Sequence, residues 1–231
     1  MADQKITELT ELTTPVGADL LAIVDDPAGT PVTKKITLAN TGLIDGWIPA
    51  SESWSYASAT TITVPSGAGS KYQKGDKIKL TQTTVKYFYI VGVADTVLTV
   101  TGGTDYTVAD AAITANFYSK AENPQGFPDW FTVATNQIMN IKGQMMTQQG
   151  HTANWDAASP ITVNYLPAFA VEPFVYLHNL SYWDGTNIFL VSLTASSASS
   201  FTLGRKYQAL TGGAWATGGY GGTKWTAIGK I

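Results

Sequence analysis

Short runs of alternating apolar and polar residues, separated by closely spaced glycine turns, constrain the fold of this chain most strongly. Residues 32–38 and 161–165 alternate as half-buried strands do, because successive side chains of a strand point to opposite faces. Turn-forming sequences such as Ser66-Gly67-Ala68-Gly69 and Gly102-Gly103 recur between such runs. No stretch keeps a helical period for more than two turns. The sequence therefore predicts an all-β fold.

Changes of composition divide the chain into small β modules in series, which end in an antiparallel β-sandwich. The expected units are an N-terminal hairpin module (1–45), a middle small β-barrel or sandwich (46–131), a connector (132–151) and a C-terminal β-sandwich (152–231). In the connector, Met139, Ile141, Gly143 and Met145 recur at period two within a polar segment. We interpret it as a connector that lies against neighbouring chains, and an ordinary surface loop is the alternative.

The balance of charges argues against two classes of partner. The chain carries 14 Lys and Arg against 17 Asp and Glu, whereas binding to nucleic-acid phosphates needs a basic surface. No apolar run approaches the roughly 18 residues of a spanning helix, and no signal peptide is visible. The absence of cysteine removes thiol nucleophiles and Cys-ligated zinc. We expect no nucleic-acid partner, no membrane insertion and no cofactor.

The residues that could carry catalysis form no recognisable constellation. The two histidines are His151 and His178, and no Gly-x-Ser-x-Gly elbow occurs. The carboxylates of Asp156, Glu172 and Asp184 have no spacing that pairs any two of them. His178 is interpreted as a structural residue of a strand. His151 would form a metal site only if a trimer brought three copies to its axis. We expect no enzyme and no metal.

Aromatic residues in and beside the loops of the C-terminal module favour ligand binding. The C–H groups of a sugar face pack on aromatic rings, while polar side chains satisfy its hydroxyl groups. The residues expected to contact a glycan are Asn179, Tyr182, Trp183, Asp184, Arg205, Trp215 and Tyr220. For Trp183 and Trp215 a place in the core or in a subunit interface is an equal alternative. Trp225, inside a predicted strand, is interpreted as a core residue.

The N-terminal module carries a resemblance to a known family. The stretches at residues 5–9, 19–25 and 33–40 (KITEL, DLLAIVD and TKKITLAN) resemble the N-terminal module of many tailed-bacteriophage fibre and structural proteins. In that family the module attaches the protein to the virion. The resemblance implies that Leu20, Ile23, Ile36 and Leu38 take part in virion docking.

The end of the chain carries a second resemblance. Residues 161–169, 173–175, 200–203 and 224–229 are similar to the C-terminal receptor-binding domains of phage tail fibres, which are lectin-like β-sandwiches that assemble as trimers. Thr226 departs from the usual closing pattern, which has an apolar residue there. The resemblance implies a homotrimer that contacts a host surface glycan.

Together these features predict a phage virion structural protein that acts as a tail fibre or receptor-binding protein. Its expected partners are two further copies of itself, other virion proteins and a host surface glycan. Its expected location is the virion, assembled in the host bacterial cytoplasm. The alternative is a capsid decoration or head-fibre protein with no specific receptor role.

Overall fold

The computed structural model describes residues 14–25, 28–30, 32–152, 160–178, 181–183, 187–209 and 223–231. The fold is all-β, with 51% strand and 5% helix, which confirms the predicted class. The strands of the described residues form four sheets, and neighbouring strands run antiparallel in each of them. Within those same ranges, no helix has the length and apolar character needed to span a bilayer.

A two-stranded hairpin stands at the N-terminal end of the described chain. It consists of β1 (Leu20–Asp25) and β2 (Val32–Thr37), which pair in register with each other alone. A single 3-10 turn, Leu38–Thr41, follows β2. Among the described residues, no side chain of this hairpin belongs to either of the two buried apolar clusters of the fold.

The middle unit is one seven-stranded antiparallel sheet. Its strands are β3 (Ile48–Pro49), β4 (Ser55–Ser58), β5 (Thr61–Thr63), β6 (Lys77–Thr81), β7 (Val85–Val93), β8 (Val97–Thr101) and β9 (Thr114–Ser119), in the spatial order β3-β9-β6-β7-β8-β5-β4. One helical turn, α1 (Ala68–Lys71), precedes β6. Alternate residues such as Ile62, Ile78, Phe88 and Leu98 are fully buried in the core of this unit. The alternation seen in the sequence therefore sets which face of the sheet packs into this core.

The segment expected to be a connector forms three strands instead. These are β10 (Phe131–Ala134), β11 (Gln137–Lys142) and β12 (Met145–His151). Met139, Ile141, Met146 and Gln148 are buried at alternate positions of β11 and β12. The period-two pattern therefore indicates half-buried strands. The many Gln and Asn residues of this segment made the pattern hard to recognise in the sequence.

The C-terminal unit consists of two sheets packed face to face. The remaining strands are β13 (Ile161–Asn164), β14 (Phe174–His178), β15 (Ser181–Trp183), β16 (Asn187–Ser196), β17 (Ser200–Ala209) and β18 (Lys224–Lys230). One sheet has the order β10-β11-β12-β18-β14 and the other has the order β13-β17-β16-β15. The rings of Phe201 on β17 and Trp225 on β18 lie 5.1 Å apart in the shared core. Trp225 is 1% exposed, which is the core position expected of it.

The middle sheet and the C-terminal sandwich meet through a continuous aromatic cluster. Tyr89 of β7 belongs to the core of the sandwich, and its ring lies 5.4 Å from that of Phe131. Phe127 packs against both rings, at 4.9 and 5.4 Å. A backbone hydrogen bond from Thr104 N–H to the carbonyl oxygen of Thr132, at 2.6 Å, lies beside this cluster. Burying these rings in one shared cluster links the two units.

Candidate functional site

The expected docking residues do not share one surface. Ile23 and Ile36 lie on the same face of the hairpin, because the paired residues Leu21 and Ile36 point to one side and Ile23 follows Leu21 by two. Leu20 lies on the opposite face and is 55% exposed. Leu38 is buried, and its N–H donates to the carbonyl oxygen of Asp19. Leu21, Ile23, Val32 and Ile36 therefore form an exposed, largely apolar face of the hairpin, which also carries Lys34 opposite Ile23, and Leu38 does not contribute to it.

The residues expected to contact a glycan fall largely outside the described part of the chain. Asn179, Asp184, Trp215 and Tyr220 lie outside the described residues. For Tyr182 and Trp183 on β15 and for Arg205 on β17, the backbone is described and the side chains are not. β15 is the edge strand of its sheet. The proposed glycan contact of this group stays a prediction.

The two histidines lie on the outer face of the five-stranded sheet. His151 on β12 and His178 on β14 both pair with Lys224 of β18, which lies between them. His178 Nε2 and Thr226 Oγ1 share a hydrogen bond of 3.0 Å. In the described ranges, no three His, Asp or Glu side chains come together as a metal site would require.

The same outer face displays aromatic and apolar side chains to solvent. Phe174 and Tyr176, two residues apart on the edge strand β14, are 78% and 55% exposed. Their neighbours on β18 are Ile228 and Thr226. A surface with exposed rings beside a hydroxyl group offers both stacking and hydrogen bonding to a ligand.

A cleft of about 480 Å³ opens at the end of the sandwich where β10 turns into β11. Its polar lining includes Asn136, Gln137, His151, Thr152, Thr162 and Asn164, and its apolar lining includes Ile161, Leu166 and Trp225.

The β10–β11 turn beside the cleft is tight because Asn136 adopts a left-handed conformation with φ of 62°. Its carbonyl oxygen accepts a hydrogen bond of 3.1 Å from His151 N–H. This bond holds the turn against the end of β12.

A second contact, made of two hydrogen bonds between the same pair of residues, fixes the rim of the cleft. Thr152 N–H donates to the carbonyl oxygen of Thr223, and Thr223 N–H donates to Thr152 Oγ1 at 2.9 Å. Both threonines are buried. The ends of β12 and β18 are therefore joined beside the cleft, and its lining is preformed.

Two polar atoms of the cleft residues are buried without a hydrogen-bond partner. They are the indole Nε1 of Trp225 and the amide Oε1 of Gln137. Gly150 lies between these residues across the sheet, pairing with Gln137 on one side and Trp225 on the other. A Cβ at Gly150 would lie 2.8 Å from Trp225 Cζ2 and 3.0 Å from Gln137 Cγ. Because Gly150 has no side chain, the indole of Trp225 and the side chain of Gln137 can both lie over it.

A hydrogen-bonded cluster around one carboxylate joins separate segments of the middle unit. The carboxylate of Glu52 accepts hydrogen bonds from Lys71 Nζ and Trp54 Nε1, both at 2.8 Å, and from the hydroxyl of Tyr72. Burial alone would raise the pKa of Glu52, but these three hydrogen bonds together lower it. A carboxylate that accepts three hydrogen bonds is held in its ionised form.

Another ionisable group is buried where the two larger units meet. Lys77 is 4% exposed, and its Nζ donates to the carbonyl oxygen of Ala121 at 3.1 Å. The same Nζ lies over the rings of Tyr89 and Phe127, at 5.5 and 5.6 Å from the centroids. Burial lowers the pKa of this lysine. The surrounding rings compensate part of the cost of desolvating the cation.

Sequence reasoning missed the cleft. Its residues come from β10, β11, β12, β13 and β18, which are distant along the chain. The only local signal was the Thr135-Asn136 pair between two alternating runs, a pattern typical of a tight turn.

Comparisons of the chain with protein-family models, with curated proteins and with solved structures find no match.

Proposed function

We propose that this chain is a structural protein of a tailed-bacteriophage virion that acts as a trimeric tail fibre or receptor-binding protein. In this proposal the N-terminal hairpin docks on the virion, and the C-terminal sandwich contacts a glycan of the host surface. The middle sheet serves as a spacer between them.

The observation that carries the proposal is the exposed, largely apolar face of the hairpin. Leu21, Ile23 and Val32 are 42%, 41% and 51% exposed on this face. A two-stranded hairpin is marginally stable by itself in water. Contiguous exposed apolar residues mark interaction sites in soluble proteins. Docking on another virion protein would cover this face and stabilise the hairpin.

Two features of the sandwich support glycan contact. The outer sheet face exposes Phe174 and Tyr176, and Tyr176 lies beside the hydroxyl of Thr226. The cleft at the β10–β11 turn is lined by amide, hydroxyl and indole groups. Both surfaces match the alternation of C–H faces and hydroxyl groups that a sugar presents.

The docking step is tested by charging the apolar face of the hairpin. The double variant Ile23→Lys, Ile36→Lys is supplied to a phage that lacks the native gene, and its amount in purified particles is measured by immunoblot. We expect incorporation to fall by about tenfold or more, because two charges would be desolvated in the interface. Thr33→Lys, on the opposite face of the hairpin, is the matched control and should be incorporated normally.

Normal incorporation of the double variant would count against docking through this face. If particles that lack the protein still adsorb to host cells at the native rate, the protein is not needed for receptor binding. The decoration role would then replace receptor binding in the proposal.

A further inference from the structure

We infer that the cleft at the β10–β11 turn binds an uncharged sugar residue, whose hydroxyl group accepts from the indole N–H of Trp225 and donates to the amide oxygen of Gln137. This inference rests on the proposed glycan contact, but it does not depend on virion docking. It places the contact at residues that sequence reasoning did not assign to ligand binding.

The two unpartnered atoms define the chemistry of the ligand. Buried polar atoms in proteins are nearly always hydrogen-bonded, so one donor and one acceptor left unpaired on two residues that line the same cleft call for an explanation. The indole N–H only donates, and the amide oxygen only accepts. A hydroxyl group accepts and donates at the same time, so one hydroxyl satisfies both. A carboxylate would be repelled by the amide oxygen, and an ammonium group would leave the indole N–H unpaired.

The remaining lining favours an uncharged ligand. Among the described lining residues there is no Asp, Glu, Lys or Arg, and His151 is the one ionisable side chain. Asn136, Asn164 and Thr162 supply further donors and acceptors, while Ile161 and Leu166 supply apolar surface. The volume of about 480 Å³ lies within the range of small-ligand sites. A neutral sugar combines several hydroxyl groups with apolar C–H faces in such a volume.

The two residues differ in how freely they move. The ring of Trp225 is held in the core by Phe201 and Tyr165, at 5.1 and 6.3 Å between ring centroids. The side chain of Gln137 is partly exposed at the first position of β11. Because both polar atoms are covered in the free protein, the Gln137 side chain shifts to admit the sugar, and its amide oxygen then accepts from the hydroxyl group that reaches the indole. The indole N–H then provides the fixed end of the contact.

The first experiment compares wild type with Gln137→Leu in the full chain. Both are applied to an array of neutral hexose and N-acetylhexosamine oligosaccharides, and the tightest ligand is titrated. We expect Gln137→Leu to weaken binding by about tenfold or more, because a buried hydroxyl loses its acceptor. The same variant should raise Tm by roughly 2–4 °C, because it removes an unpartnered buried oxygen. Gln149→Leu, on the outer face of the neighbouring strand, is the control and should change neither.

The second experiment observes the indole directly. The Nε1–H resonance of Trp225 in the ¹⁵N spectrum is identified by its absence from Trp225→Phe. We expect this resonance to shift when the sugar is added to wild type.

Three outcomes would overturn the inference. If wild type and Gln137→Leu bind the array equally and the indole resonance does not move, the glycan binds elsewhere, and the proposed function stands without this site. If wild type binds no oligosaccharide of the array, both the cleft and the proposed glycan contact fail. If Gln137→Leu lowers Tm, Gln137 already has a partner in the folded protein.

Discussion

At the scale of single residues, glycine sets how closely the two larger units approach. Gly75, just before β6, has φ of +90°, and its N–H donates to the carbonyl oxygen of Ile90 at 2.8 Å. A Cβ at this position would overlap the carbonyl oxygen of Gly143, in the turn between β11 and β12. Gly143 also has a positive φ, of 58°, but a Cβ there would meet nothing within 4 Å.

These two glycines predict a contrast in stability. Gly75→Ala should lower the free energy of unfolding by about 2 kcal/mol or more, because it adds a backbone clash to a left-handed conformation. Gly143→Ala carries only the conformational cost, about 1 kcal/mol. Urea unfolding of both variants tests this, and equal losses would show that the contact at Gly75 relaxes without cost.

Buried tyrosines predict how stability changes in alkali. Burial raises the pKa of Tyr72, Tyr89 and Tyr165 above the usual 10.0. The unfolded chain therefore loses these protons at a lower pH than the folded protein does, and stability is retained below pH 10 and falls above it. Tyr165→Phe removes one such group, so its loss of stability above about pH 10 should be less steep by up to about 1.4 kcal/mol per pH unit. Urea unfolding between about pH 9 and 11 measures both slopes. Parallel slopes would contradict the prediction.

At the scale of elements, β12 organises the sandwich through one buried polar side chain. Gln148 is fully buried, its Nε2 donates to the carbonyl oxygen of Pro167 at 2.7 Å, and its Oε1 accepts from Leu166 N–H at 3.1 Å. The side chain thereby fixes the loop that follows β13. Unlike Gln137, it has a partner at each end of its amide.

Gln148→Leu should therefore destabilise the protein. The change leaves a backbone N–H and a carbonyl oxygen without their partner, which costs roughly 2 kcal/mol. Gln149→Leu, one residue further on and on the outer face, should change the free energy of unfolding by less than about 0.5 kcal/mol. Chemical denaturation of both variants makes the comparison. A stable Gln148→Leu variant would mean that the loop finds other partners.

The strands themselves were predictable where apolar residues alternate with short polar ones. The pattern placed a strand at residues 85–93, and β7 has those bounds. It also placed β1, β2, β13 and β18 to within a few residues of their ends. It missed β10, β11 and β12, because a buried glutamine and the exposed Ile138 and Met145 blur the contrast between their two faces.

At the scale of the whole molecule, the proposal predicts association. Among the described residues, the exposed hairpin face and the outer face of the five-stranded sheet offer surfaces through which copies could pack. If the protein is a trimer, as proposed, light scattering of the purified full-length chain should give about 74 kDa, three times the 24.6 kDa of one chain. A single species of one-chain mass would contradict a trimer in solution and favour assembly on the particle.

The sequence by itself determined the all-β class and the positions of the clearly alternating strands, because alternation with period two is a local property that follows from the geometry of a strand. Only the tertiary structure decided that residues 132–151 belong to the sandwich, since that depends on β12 pairing with β18 about eighty residues later. The cleft has the same origin. The side chains of Trp225 and Gln137 can both occupy the space above Gly150, on the strand between them, only because Gly150 has no side chain to fill it.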